Sequence, residues 1–223
     1  MNKLVIAVDG PSASGKSTIC DILGEKLGIN HLSSGALYRA IALYCKQNNI
    51  DADMFTDEKE TNKIKNILNN IKLEVEFDNF KQQIFLNNQN VTNLLNTNEI
   101  SLLTCKISPN KLVREKIKVC QKNLAKQGSI IIDGRDITSE VLKDCKNKFF
   151  VTASVDVRAE RRYEQYNKKI SLDEIKKDLE LRDYQDTHRK IAPLKIVDDA
   201  VVVDSSNLTI QQTVDEIIKN LNY

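Results

Sequence analysis

Nine consecutive residues, Gly10-Pro-Ser-Ala-Ser-Gly15-Lys16-Ser17-Thr18, restrict what this chain can fold into more than any other segment. They fit the spacing G-x-x-x-x-G-K-[ST], and they follow the apolar run Leu4 to Val8, which reads as a buried parallel strand ended by Asp9. Strand, glycine-rich loop and helix in that order make a phosphate cradle. Glycines let the loop wrap closely, successive N–H groups and the helix N-terminus face the phosphates, the lysine reaches the β and γ groups, and the serine hydroxyl can ligate Mg²⁺. The segment therefore assigns Gly10, Ser12, Ala13, Ser14, Gly15, Lys16, Ser17 and Thr18 to nucleotide binding. The competing reading, a glycine-rich turn with a surface lysine, does not explain the strand-then-helix context.

The remaining apolar runs fit that frame. Ile29 to Leu32, Ser129 to Asp133, Phe149 to Ala153 and Ala200 to Val203 are short and strand-like, and helical patterns alternate with them. The expected class is α/β, a P-loop core with a parallel sheet flanked by helices. With 223 residues, one core is the prior, and folding at this size hides roughly 70% of the chain's surface without disulfides or a structural metal. Five cysteines without a C-x-x-C pair argue against a disulfide framework or a zinc site. Thirty-three basic against 31 acidic residues exclude a bulk nucleic-acid binder, and no apolar run reaches the roughly 18 residues of a membrane span. A cytoplasmic chain without a membrane or nucleic-acid partner is expected.

Helix signals include Ser34 to about Gln47, with Ser34 a candidate N-cap; Asp57 to about Asn70, opened by an Asp57/Glu60 capping box; and Thr209 with Gln212 capping the last helix. From Leu73 the period changes to two and predicts a small antiparallel insertion, followed by an asparagine-rich loop over 87–98. Val113, Ile117, Cys120 and Leu124 mark a helix whose other face carries Lys111, Arg114, Lys118 and Lys122. The helix opened by Ser171 and Glu174 has an apolar stripe, Ile175 and Leu179, that turns polar at Arg182, Asp186 and Arg189. Burying such charges is costly unless they pair with one another or face a charged ligand.

Only eight of the 33 basic residues are arginine, so those eight are candidates for bidentate recognition of phosphate or carboxylate. Arg158, Arg161 and Arg162 follow a strand as a basic flap or a solvated helix. Asp133, at the end of an apolar strand, sits where α/β sheets bind ligands and is a candidate for orienting Mg²⁺ through water. His31 and His188 each stand alone, which favours surface or hydrogen-bonded structural roles over a metal site.

Taken in order, these segments resemble bacterial cytidylate kinases, within the nucleoside monophosphate kinases, over nearly the whole chain. Val8-Asp-Gly-Pro-Ser-Ala-Ser-Gly-Lys-Ser17 is similar to that family's P-loop, Ser34-Gly-Ala-Leu-Tyr-Arg39 to its monophosphate-binding helix, and Ile132-Asp-Gly-Arg-Asp136 to its central acidic motif. Arg182 to Arg189 with Ala192-Pro-Leu194 resembles its substrate helix, and Asp204-Ser-Ser206 its last loop. The resemblance implies one kinase domain over 1–223, with a monophosphate-binding region at about 34–110, a β insertion at about 73–92 and a lid at about 156–171.

It also implies roles. Ser34, Arg114 and Asp136 would read cytosine, Arg39 and Arg135 would hold the acceptor phosphate, and Arg182 with Asp186 would bind the ribose. Lys16, the lid arginines Arg158, Arg161 and Arg162, and Arg189 would serve transfer. The sequence departs from the family pattern at Ser33, Asn96, Cys105 and Thr138-Ser139, where the family carries an acidic residue, an arginine, a serine and Gly-Thr. A thiol is a weaker partner than a hydroxyl, with Thr104 the neighbouring substitute.

The implied reaction is γ-phosphoryl transfer from ATP, with Mg²⁺, to CMP or dCMP by a monomer. No general base is needed, because a phosphomonoester with a second pKa near 6 is already largely ionised at neutral pH. The rival classes are a P-loop switch or regulatory ATPase, a kinase of another small acceptor, and a non-catalytic binder. A guanine-reading N-K-x-D is absent from the sequence.

Overall fold

The computed structural model describes residues 3–222. In chain order its elements are β1 (Val5–Asp9), α1 (Lys16–Leu27), β2 (Asn30–Ser33), α2 (Ser34–Gln47), α3 (Thr61–Asn69), β3 (Leu73–Asp78), β4 (Lys81–Leu86) and β5 (Gln89–Asn90). These are followed by α4 (Asn98–Ile107), α5 (Lys111–Gln127), β6 (Ile130–Gly134), β7 (Asn147–Thr152), α6 (Val155–Gln165), α7 (Leu172–His188), β8 (Val201–Asp204) and α8 (Ile210–Lys219). Two compact units emerge: Met1–His31 with Gly128–Tyr223, and Leu32–Gln127.

The first unit holds the parallel strands in the order β6-β1-β7-β8, with Val5 paired to Ile130, Ile6 to Asn147 and Phe149 to Val201. Flanked on both edges, β1 is apolar on both faces. Ile6, Ala7 and Val8 are fully buried. Ile6 and Val8 join a core with Ile19, Leu23, Ile131, Phe149, Val151, Val203, Val214 and Ile217 from the sheet, α1 and α8. Gly24 allows the close passage after α1, since a Cβ there would lie 2.8 Å from the carbonyl oxygen of Ile29. The predicted capping box of α8 is present, with Thr209 and Gln212 each bonding the other's backbone N–H. A second small core, Ala159, Ile175 and Leu179, joins α6 to α7.

The second unit contains α2 to α5 and the predicted insertion. β3 and β4 pair antiparallel from Leu73 opposite Leu86 to Asp78 opposite Lys81, closed by the two-residue turn Asn79-Phe80. Both turn residues have positive φ, 47° and 65°, the hand that matches strand twist.

Several local expectations are corrected. Asp57 caps a 3₁₀ turn, accepting from the Lys59 N–H, and α3 begins only at Thr61. The asparagine-rich segment includes β5 and a 3₁₀ turn at Thr92–Leu94. The helix α4 lacked a clear apolar period: only Ile100 and Ile107 of it are buried. Ser33, not Ser34, is the N-cap of α2. Arg114 does not share the solvated face of α5; it is buried beside Val113 and Ile117.

Candidate active site

In the first unit the phosphate cradle takes its shape from backbone constraints. Gly10 has φ +152°, and a Cβ there would lie 2.0 Å from the carbonyl oxygen of Val151, so no side chain fits. Ala13 and Gly15 also have positive φ, 59° and 85°, turning the loop into α1. Ser12 is half-buried, Ser14 buried, and Ser17 and Thr18 are exposed at the first turn of α1. The Lys16 ammonium donates to the Pro11 carbonyl at 2.6 Å and to Ser14 Oγ at 3.2 Å. Burial, with the nearby Arg135 charge, lowers its pKa to about 7 against the opposing pull of Asp133 and Asp9. A polyphosphate would supply the negative charge this buried amine lacks.

Ser17 Oγ donates to Asp133 Oδ2 at 3.0 Å. Among the described residues no group of three or more His, Cys, Asp or Glu side chains forms an all-protein metal cage. One hydroxyl beside one carboxylate at a phosphate loop could hold a Mg²⁺ that arrives with a nucleotide and keeps its waters.

β6 delivers Asp133 and, just beyond it, Arg135 and Asp136. The Arg135 guanidinium donates to Asp186 Oδ2 and to Ser12 Oγ, each at 2.8 Å. Arg189 lies 3.4 Å from Asp186 and 3.9 Å from Asp136, and donates to the Ala192 carbonyl at 2.6 Å. The polar stripe of α7 thus pairs internally: Asp186 with Arg135 and Arg189, and Arg182 with Asp178 at 3.0 Å. Asp9, fully buried, accepts from the N–H groups of Ile137 and Thr138 and from the Thr138 hydroxyl at 2.6 Å. Burial raises its pKa despite those bonds. Asp9 was not singled out in the sequence, yet it fixes the turn that carries Asp136; the Thr138 hydroxyl does work a glycine there would not do.

The three arginines expected in a lid differ. Arg158 is buried, donates to the carbonyls of Ala153 and Ser12, and pairs with Asp183 at 2.7 Å. Arg161 bonds the carbonyl and hydroxyl of Ser205 at 2.7 and 3.1 Å. Arg162 stacks over Tyr166 at 5.0 Å. They sit on the helix α6 rather than in an unstructured flap.

In the second unit, Ser34 opens α2 with its hydroxyl accepting from Gln121 Nε2 at 2.6 Å, both residues buried. Gln121 lies on the same stripe of α5 as Arg114 and Ile117, and its burial could have been read from that spacing. Arg114 donates to the Ser108 carbonyl at 3.1 Å and lies 5.7 Å from the Tyr38 ring. Arg39 donates to Asn96 at 3.2 Å, so the asparagine at the departure from the family pattern has become its partner. Cys105 is exposed, and Thr104 spends its proton on the Ile100 carbonyl. The structure gathers Lys16, Ser17, Asp133, Arg135, Asp136, Arg158, Asp186 and Arg189 within one unit; Ser34, Arg39 and Arg114 belong to the other.

His31 is buried and hydrogen-bonded, His188 is exposed and stacked on Tyr184. Burial alone would lower the His31 pKa, but hydrogen bonds and charges from Asp133 and Asp21 push it up to about 9.

Known proteins similar to this chain match nearly its whole length. The family description "Cytidylate kinase" matches residues 6–223. A cytidylate kinase of Caldicellulosiruptor saccharolyticus is 38% identical over 98% of this chain and 96% of its own. One from Fusobacterium nucleatum is 37% identical over 99% and 98%. Among solved structures, an uncharacterized protein from Eubacterium ventriosum shares the fold, with a TM-score of 0.53 at 12% identity over 97% of each chain. With a phosphate loop built on β1 and α1, an acidic motif at the end of β6 and a match that spans both units, the chain belongs to the cytidylate kinase family.

Proposed function

We propose that this chain is an ATP-dependent phosphotransferase that moves the γ-phosphoryl group of ATP to CMP or dCMP, yielding ADP and CDP or dCDP. The observation that carries this reading is the phosphate loop with Lys16 and the Ser17–Asp133 pair, in a chain whose family match runs from residue 6 to 223. In this reading Gly10 and Ser12 to Thr18 wrap the ATP phosphates, and Lys16 meets the β and γ groups. Ser17, with Asp133 through water, would hold Mg²⁺. When bound, the ion neutralises charge on the phosphates that flank the bond being broken.

The acceptor needs alignment rather than deprotonation. Arg39 and Arg135 hold its phosphate, Ser34, Arg114 and Asp136 read its base, and Arg182 and Asp186 bind its ribose. For Arg135 and Asp186 to do so, their mutual ion pair must open, so acceptor binding exchanges an internal pair for contacts with ligand. Arg158, Arg161, Arg162 and Arg189 spread the charge that develops on the transferred group and exclude water. The region 34–110 serves the monophosphate and 156–171 the lid, and the enzyme works as a cytoplasmic monomer.

A coupled ADP-release assay with CMP, dCMP, UMP, AMP, GMP and no acceptor tests the reading. Turnover with cytidine nucleotides, lost in Asp136→Ala, is expected. ADP release that ignores the acceptor would instead mark a regulatory ATPase.

A further inference from the structure

The transfer site described above gives the buried side chain of His31 no part. His31 is the second residue of β2, with 3% of its surface exposed. Its Nδ1 lies 2.7 Å from Asp21 Oδ1 and its Nε2 lies 3.3 Å from Asp133 Oδ1. Both neighbours are carboxylates, which when ionised only accept, so both ring nitrogens donate. The other oxygen of Asp133 takes the Ser17 hydroxyl proton at 3.0 Å. The side chains of Asp21, His31, Asp133 and Ser17 thus form one hydrogen-bonded chain. Ser17 and Asp21 are four residues apart on α1, hence on one face of that helix, and the chain ties this face to the end of β6.

We propose that His31 is a positioning residue of the magnesium–nucleotide site, holding Asp133 between itself and Ser17 so that the serine oxygen faces the incoming cation. The inference rests on the kinase reading but adds a residue to it. A carboxylate bonded through each oxygen has one orientation, and that orientation fixes where the Ser17 proton points. Outer groups of this kind typically change metal affinity by about ten- to a hundred-fold when removed. His31 acts through Asp133 and Ser17. Asp21, about half exposed, anchors the far side of the ring.

The test is equilibrium binding of a fluorescent ATP analogue to the full chain, with magnesium and with EDTA, in wild type, His31→Phe, His31→Gln and Asp21→Asn. In His31→Phe the ratio of the two affinities is expected to fall about tenfold, while affinity in EDTA and KM for CMP stay within about twofold. His31→Gln, whose amide can donate to Asp133, should recover part of the loss, and Asp21→Asn should lie between. If His31→Phe does not fold, Asp21→Asn decides alone, because its side chain fills no core space. An unchanged ratio in the folded variants overturns the inference. So does a parallel loss in EDTA, which would mean general loosening. A wild type whose affinity ignores magnesium would overturn the metal assignment and this inference together, whereas a magnesium-dependent wild type with unchanged variants overturns the inference alone.

Discussion

Gln121 shows how one side chain can serve a site without belonging to any motif. Its amide nitrogen donates to Ser34 Oγ at 2.6 Å where neither residue sees solvent, so the serine hydroxyl proton is left to point elsewhere. In the proposed function that proton is available to the base. Gln121→Leu is expected to raise KM for CMP by about five- to tenfold, the equivalent of one lost hydrogen bond, with KM for ATP unchanged. Steady-state kinetics on both substrates checks this. Asp9 has the corresponding part in the other unit, where three donors converge on one buried carboxylate and fix the turn after Asp136. Helical spacing marks the burial of Gln121, but what such a residue holds is silent in a sequence. Their function is to hold another residue, and the contact joins positions 87 or 128 to 129 residues apart.

At the scale of elements, what was legible followed periodicity and caps. β1, β6, β7, α7 and α8 were read within one or two residues because burial on a central strand or a capped amphipathic helix leaves a regular pattern. The pattern failed where burial is thin. α4 hides only Ile100 and Ile107, and the turn that opens α3 satisfies Asp57 through a 3₁₀ rather than an α geometry. The β3–β4 hairpin was read correctly, but its turn carries a cost that composition did not reveal. Phe80 stands at φ 65° and is 40% exposed. A left-handed backbone costs a bulky residue about 1 kcal/mol that glycine does not incur. Phe80→Gly is therefore expected to stabilise the protein by about 0.5–1 kcal/mol in urea unfolding, leaving kcat unaltered.

For the whole molecule, the phosphate loop, the polar stripe of α7 and the acidic motif after β6 were all visible in the sequence, because phosphate chemistry demands particular residue types at fixed spacing. The pairings within the stripe were not. Whether Arg135 meets Asp186 depends on how β6 and α7 pack, and no local signal reports that. A protein of this family gains stability from each substrate by mass action. Mg·ATP at a hundred times its dissociation constant should add about 2.7 kcal/mol, seen as a rise in Tm that EDTA reduces. CMP should add a further increment, whereas GMP should not. A Tm that responds equally to both monophosphates would show that the base is not read.

The central claim is that a phosphoryl group passes from ATP to a cytidine monophosphate rather than to water. Its most direct test follows the group itself: γ-labelled ATP is incubated with magnesium, CMP and the full chain, and the products are separated. Label in the β-phosphate of CDP, with little inorganic phosphate, is the predicted result. Label recovered as inorganic phosphate, whether or not CMP is present, would contradict the account.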